Sequence, residues 1–353
     1  MHMAGSKRLV IGGVDTHCAT HHAAVIDRNG RLIADAEFSA TPVGYASMLT
    51  WMRSKGKLGQ VGVEGTGAYG AGLARYLHQQ GIEVLEVPRP DRRLRRQRGK
   101  SDPIDAEAAA RTVLAGKASG APKLADGPIE AIRMLRVARN GAVKARTAAL
   151  NTLRSMVITA PEPLRTQLRS LSSAQLVTAC ARLRPDPTNL LDPAQSAKQA
   201  LRSIAQRAQH LDTETRSLRK QLDDLIQTAA PATAAIFGLG PDTVSALLVT
   251  IGDNPDRLRS EAAFAHLCGV APIPASSGKT HRHRLHRGGD RASNSALHIA
   301  TVVRLRYDPR SRAYADRRTT EGLSMPEIIR CQKRYLAREI FHSLRADYAQ
   351  LST

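Results

Sequence analysis

The feature that most restricts the fold is the tetrapeptide Arg28-Asn29-Gly30-Arg31, set between two apolar runs. Asn-Gly readily takes the positive φ values of a tight hairpin turn. His22–Asp27 before it reads as a strand, and Leu32–Phe38 after it alternates as the returning strand. Residues 8–14, rich in Leu, Val and Ile, predict a buried strand ahead of the pair. Thr41-Pro42 then opens a helix to about Ser54, with Tyr45, Met48, Leu49 and Met52 at helical spacing. A strand over Val61–Glu64, a glycine-rich turn over 65–70, a helix over Leu73–Gln80 and a strand over Ile82–Val87 follow.

Three antiparallel strands, then alternating helices and strands, is the element order of an RNase H-like fold. In such a fold the first strand, a later strand end and a final helix bring their acids together. Here the first strand leads into Asp15 and Val61-Gly62-Val63 leads into Glu64. The final helix begins at Lys100-Ser101-Asp102-Pro103-Ile104-Asp105. Pro103 fits the first helical position and Asp102 the N-cap, which places Asp105 one turn on along the same face. Asp102 and Asp105 alone also fit a capping box. The basic run carrying Arg92, Arg93, Arg95, Arg96, Arg98 and Lys100 leads straight into them. Acids at the ends of separate elements beside a phosphate-binding run point to a divalent-metal site on nucleic acid. Gly65-Thr66-Gly67 lacks the full G-x-G-x-x-G and the Walker lysine, so it reads as a tight turn beside Glu64.

Charge supports the same partner. Lys plus Arg number 52 against 31 acids, a net charge of +21 over 353 residues, which calls for a polyanion. A hydrophobic content of 42% is enough for real cores in two or three domains. No apolar run approaches the roughly 20 residues of a membrane span, so no membrane partner is expected. Cys18, Cys180, Cys268 and Cys331 are scattered without a Cys-x-x-Cys and fit free thiols in a reducing cytosol.

Beyond a linker at 117–124, residues 128–157 favour a helix, and prolines from Pro161 to Pro193 break the middle. Ile204, Leu211, Leu218 and Leu225 then recur every seven residues, interleaved with Leu201, Ala208, Thr215 and Leu222. That is a coiled-coil pattern, equally consistent with a helical hairpin onto 128–157 or with a dimer seam. Gly238-Leu239-Gly240 opens an apolar helix and resembles half of a helix-hairpin-helix, or simply a helix start. Residues 325–347 form an amphipathic helix whose Ile328, Ile329, Tyr335, Leu336, Ile340 and Phe341 read as core. Ser276-Ser277-Gly278-Lys279 precedes a dense basic segment containing Arg282, Arg284 and Arg287. Read from the residues, it is a nucleic-acid-binding loop whose serine bonds phosphate, or an exposed nucleophile facing a phosphodiester. His281, His283 and His286 raise zinc, but no nearby Cys-x-x-Cys completes a tetrahedral set.

Val14-Asp15-Thr16, Val63-Glu64-Gly65-Thr66-Gly67, Lys100-Ser101-Asp102-Pro103-Ile104-Asp105-Ala106 and Ser276-Ser277-Gly278-Lys279 occur in that order. Together they resemble the DEDD transposases of the IS110 insertion-sequence family. The resemblance implies an α/β plus α chain: a RuvC-like (RNase H-fold) domain over 1–120, a helical coiled-coil region over 121–230, and a mainly α C-terminal transposase domain over 231–353. It implies an acidic tetrad of Asp15, Glu64, Asp102 and Asp105 holding Mg²⁺, or alternatively Mn²⁺. Ser277 would be the nucleophile, with Ser276 its close rival. It further implies donor and target DNA, a structured guide (bridge) RNA, a homo-oligomer (dimer or tetramer), and a prokaryotic, cytoplasmic, nucleoid-associated setting. The expected reaction is DNA strand exchange through a covalent phosphoserine. The alternative is an RNase H-like nuclease that activates water.

Overall fold

The hairpin forms, and a carboxylate fixes it. β1 (Leu9–Thr16), β2 (Thr20–Asp27) and β3 (Leu32–Ser39) are successive antiparallel strands in a computed structural model describing residues 8–88, 101–118, 120–123, 125–254, 258–278 and 283–351. Asp27 accepts hydrogen bonds from the Asn29 and Arg31 amides at 2.8 and 2.9 Å while Gly30 takes a φ of 77°. Arg8 pairs with the same carboxylate, so a buried acid ties the turn to the start of β1.

Thr41 caps α1 (Pro42–Ser54) by accepting from the Gly44 amide, and β4 (Lys57–Glu64), α2 (Ala71–Gln79) and β5 (Glu83–Val87) follow. The sheet order is β3-β2-β1-β4-β5, with β4 parallel to β1 and β5 parallel to β4. Alternation along β1 builds two cores. Val10 and Val14 join Met48, Leu49, Met52, Leu73 and Leu77 on the side of α1 and α2. Ile11 joins Ile26 and Val87 against Ala109, Ala110 and Val113 of α3 (Asp102–Leu114).

That second face admits α3 unusually closely. A Cβ on Gly13 would stand 2.2 Å from the Ala106 carbonyl oxygen, and one on Gly62 would stand 2.6 Å from a Val113 methyl. Glycine in the strands and alanine on the helix let backbone approach backbone.

The chain divides into two compact units, Met1–Gly127 with Ile251–Arg257, and Pro128–Thr250 with Leu258–Thr353. In the second unit α4 (Pro128–Thr159) packs along α7 (Pro193–Ala229). The short helices α5 (Leu164–Leu168) and α6 (Ser173–Ala181) close a core of Leu153, Leu168, Leu176 and Leu201. The seven-residue repeat is thus used within one chain. Its buried line runs through Leu201, Ala205, Ala208, Leu222, Ile226 and Ala229, whereas Ile204, Leu211, Leu218 and Leu225 are half-buried at its edge. Thr215 occupies the same line, and its hydroxyl is buried without a hydrogen-bond partner among the described residues.

At the expected break, α8 (Pro231–Ala234) is tied down by Asp347, which accepts from the Ala232 and Thr233 amides at 2.8 and 2.9 Å. There follow α9 (Pro241–Ile251), α10 (Glu261–Leu267), the two-residue strands β6 (Ile273–Pro274) and β7 (His283–Arg284), α11 (Arg291–Tyr307), α12 (Pro309–Thr320) and α13 (Met325–Leu351). Ile328, Leu336, Ile340 and Phe341 of α13 are core as expected. Tyr335 is not: it is 59% exposed, its ring set edge-on against Tyr314. Among the described residues no helix is long and apolar enough to cross a membrane.

Candidate active site

Two parallel neighbours deliver the first acids. β1 and β4 are in register at Val14 and Val63, so Asp15 and Glu64 stand on the next rung. Gly13 and Gly62 already face α3, and period-two alternation puts Asp15 and Glu64 on that same face. Each is only 7% exposed. The Thr16 hydroxyl donates to the Glu64 carbonyl at 2.8 Å and joins the two strand ends.

The first turn of α3 supplies the other two. The N-cap is Ser101, in extended conformation and without a side-chain capping bond, so Asp102 is the first helical residue and not the cap expected from sequence. The Asp105 amide donates to the Ser101 carbonyl at 3.1 Å, an ordinary helical bond. The Asp102 carboxylate instead lies 3.3 Å from His17 Nε2, which is also 3.2 Å from Asp15 Oδ2. Asp15, His17 and Asp102 therefore present ligand atoms within 4.8 Å of one another. Asp105 is buried beside them, and its charge acts on Asp15.

Burial pushes the Asp15 carboxyl above the usual carboxylate range; His17 pulls it back down, and the Asp105 and Asp102 charges add to the rise. Like charges beside a buried carboxylate disfavour its ionisation, and a hard divalent cation accepts such oxygen donors. The donor set fits a metal. His17 escaped the reading of the sequence. Its signal was its place just past the end of β1, two residues beyond Asp15, where a side chain can swing over the strand end.

The remaining sequence-predicted residues divide by position. Arg92, Arg93, Arg95, Arg96, Arg98, Lys100, Lys279, Arg282 and His281 lie outside the described residues. Arg284 and Arg287 are exposed near the β6–β7 ladder. Ser276 and Ser277 are both exposed, and Gly278 beside them takes a φ of 56°. His286 packs edge-on against His266 with ring centres 5.0 Å apart, and neither joins a three-ligand metal group among the described residues. Gly65, with a φ of 69°, makes the turn beside Glu64, and Thr66 is buried there with its hydroxyl on Glu86 at 2.9 Å. At the later glycine turn the Gly240 amide donates to the Thr243 hydroxyl at 2.8 Å, and the Asp242 carbonyl accepts from Arg136 at 2.8 Å. That helix start is already occupied by its own chain. The four cysteines are free thiols, and burial pushes Cys180 up to about 11 and Cys268 up to about 12.

Asp15, His17 and Asp102 thus form an acidic cluster whose donors suit a divalent cation, with Glu64 and Asp105 buried on the same face of the sheet. Family comparison agrees. Residues 12–160 match the DEDD transposase model of the IS110 type, and residues 232–316 match the model described as transposase IS116/IS110/IS902 family. The chain belongs to the IS110 family of transposases. It is 29% identical over 146 residues to the IS110 insertion-element 43.6 kDa protein of Streptomyces coelicolor, covering 40% of this chain and 36% of that protein. It is 27% identical over 158 residues to the IS900 insertion-element 42 kDa protein of Mycobacterium paratuberculosis, covering 44% of this chain and 40% of that protein. The matches thus span about two-fifths of each relative's length.

Proposed function

We propose that the protein is a DNA transposase that cuts and rejoins strands through Ser277, assisted by a divalent metal at Asp15, Glu64, Asp102 and Asp105. The observation that carries this reading is the convergence of Asp15, His17 and Asp102 to within 4.8 Å at the end of β1. Family membership supports the reaction class. The β3-β2-β1-β4-β5 order supports assigning the N-terminal domain as RNase H-like (RuvC-like). On this reading residues 1–120, 121–230 and 231–353 divide the labour as metal domain, helical coiled-coil region and serine domain.

Bound Mg²⁺, or Mn²⁺ in its place, supplies a Lewis acid that offsets charge developing on the phosphodiester. Asp15 and Asp102 would hold it, with Glu64 and Asp105 completing the oxygen set. His17 stands between the Asp15 and Asp102 carboxylates, within ion-pair distance of both. The Ser277 oxygen forms a bond to phosphorus as the bond to the leaving sugar oxygen breaks, and that oxygen takes up a proton. Rejoining reverses the step: a sugar hydroxyl attacks the phosphoserine and Ser277 regains its proton. The phosphodiester count is conserved, so no nucleotide cofactor is consumed. Arg284 and Arg287, with the basic residues at 92–100 and 279–282, bind the backbone. A structured guide RNA pairing with donor and target, and an oligomer in which one protomer's Ser277 meets another's tetrad, complete the proposal.

The deciding experiment is a denaturing gel of end-labelled DNA after incubation with Mg²⁺. The expected result is a DNA–protein adduct, absent in Ser277→Ala. If Ser277→Ala still cleaves and releases free ends, the protein is a water-activating nuclease. If Ser276→Ala alone is dead, the chemistry stands and the nucleophile is its neighbour.

A further inference from the structure

A pocket of about 570 Å³ opens in the second unit between the β6–β7 ladder, the Gly269–Pro272 turn and the helices α12 and α13. Its lining is divided. Arg284, Arg330, Lys333 and Arg334 bring cations, while Leu285 and Tyr335 bring apolar surface that is 48% and 59% exposed.

The cations are unequally matched. Arg334 is paired with Glu261 at 2.7 Å and Arg330 with Glu327 at 3.8 Å. Among the described residues Arg284 has no ion-pair partner, and Lys333 has no carboxylate at all. Lys333 is the anomaly, because it is only 5% exposed. Its ammonium donates to Asn294 Oδ1 at 2.6 Å, a neutral partner. Asn294 is held for that task by its own amide group, which donates to the Cys268 and Gly269 carbonyls at 3.1 and 2.8 Å. The charged neighbour that acts on Lys333 is another cation, Arg330, and burial itself lowers the lysine's affinity for its proton. A buried ammonium without a counter-ion is costly, and an incoming anion removes that cost.

Size and lining decide which anion. A bare phosphate needs neither this volume nor an apolar wall, and a stacked duplex cannot enter. An unstacked nucleotide uses both features: phosphate on the cations, base on the apolar side. We propose that this pocket receives one unstacked nucleotide of a single-stranded DNA segment, its phosphate on Lys333 and Arg284 and its base against Leu285 and Tyr335. The inference rests on the transposase reading for its choice of DNA, since β7 carries Arg284 into the pocket and the same ladder carries the Ser277 loop. Such a site would hold the strand unpaired next to the serine.

Binding without metal separates this claim from catalysis. The intact chain is titrated against a duplex bearing a short single-stranded gap with 2-aminopurine at its centre, and against the same duplex without a gap. The expected result is tighter binding of the gapped DNA, with the fluorescence change of a base entering a new environment. Tyr335→Ala and Lys333→Met should each weaken gapped binding about tenfold and leave the continuous duplex unchanged. Tyr335 is exposed, so its variant remains informative even if Lys333→Met folds poorly. Equal losses on both DNAs would reduce the pocket to a general backbone contact, and no loss on either would remove it as a DNA site. Inorganic phosphate that abolishes gapped binding at concentrations sparing the duplex would mark a simple anion site and overturn the nucleotide assignment. Cleavage is scored separately with Mg²⁺: gap-selective binding without any cleavage would sink the transposase reading and leave the pocket standing.

Discussion

The acid cluster and the serine loop differ in how they are held. Asp15 and Glu64 end two parallel, hydrogen-bonded strands, and Asp102 and Asp105 begin a helix that presses backbone-close on Gly13 and Gly62. Ser277 stands exposed beside a ladder of two-residue strands. One site is built by packing and carries internal repulsion; the other is carried on a surface turn with little to repel or pack. The proposed roles fit this difference: a metal-binding group is fixed before the ion arrives, whereas a nucleophile that meets a large substrate gains from exposure.

The sharpest attempt to break this contrast is Asp15→Asn. Removing a group that stabilises transition-state charge costs about 10²–10³-fold in rate where single donors have been deleted, and loss of a metal ligand should reach at least that. Mg²⁺-dependent cleavage is the measurement. The fold should survive, because Asn keeps the shape and removes a charge that burial disfavours. Near-normal cleavage would return the acids to a purely structural role.

Metal should show its largest stability effect at the same corner. At a Mg²⁺ concentration a hundred times its dissociation constant the folded state gains about 2.7 kcal/mol, read as a rise in melting temperature that Asp15→Asn lacks. The metal-free protein should respond to pH in a defined direction. Asp15 titrates above its ordinary value of 3.8. The unfolded chain releases that proton first, so stability falls as pH rises from 3.8 through the raised value. Asp15→Asn should remove that part of the slope, and an unchanged slope would show that Asp15 is not the strained group.

Gly13→Ala tests the packing. Its new methyl would stand 2.2 Å from the Ala106 carbonyl, so helix or strand must move. Overpacking of this kind costs about 1–3 kcal/mol. Because the displaced helix carries Asp102 and Asp105, cleavage should fall more than stability alone explains when assayed well below the melting transition. Parallel small losses in both would mean that the cluster tolerates a loose α3.

Much of this architecture was legible in the sequence. The Asn29-Gly30 turn, the alternating strands and the Thr41-Pro42 helix start follow from local rules, and the acids could be placed at element ends because strands and helices have predictable lengths. What local rules miss is close approach. Gly13 and Gly62 read as ordinary strand residues until α3 lies across them, and only then do Asp102 and Asp105 reach Asp15. His17 was missed for the same reason, since its partners lie on β1 and α3. The cap shifted by one residue because Ser101 and Asp102 are both good cap residues, and Asp102's carboxylate is engaged with His17. The seven-residue spacing of α7 was plain, but which of two offset lines faces α4 depends on the partner helix. It chose the line through Leu201, Ala208 and Leu222, with Ala205, Ile226 and Ala229 buried beside it.

The smallest expected effect lies at the serine loop, and it completes the contrast. Ser276 and Ser277 are exposed, and among the described residues neither hydroxyl takes part in a hydrogen bond. Removing either oxygen leaves no buried group unsatisfied and no cavity, the two usual sources of large mutational losses. Ser276→Ala and Ser277→Ala should therefore shift unfolding free energy by less than about 0.5 kcal/mol, the ordinary range for surface substitutions. Chemical denaturation with matched slopes is the measurement. A loss above about 1 kcal/mol in Ser277→Ala, at the scale of a lost hydrogen bond, would show that the serine is built into the fold. Loss of the DNA adduct in that variant would then no longer isolate chemistry. If both variants keep wild-type stability and Ser277→Ala alone loses the adduct, the hydroxyl acts on DNA and not on the protein.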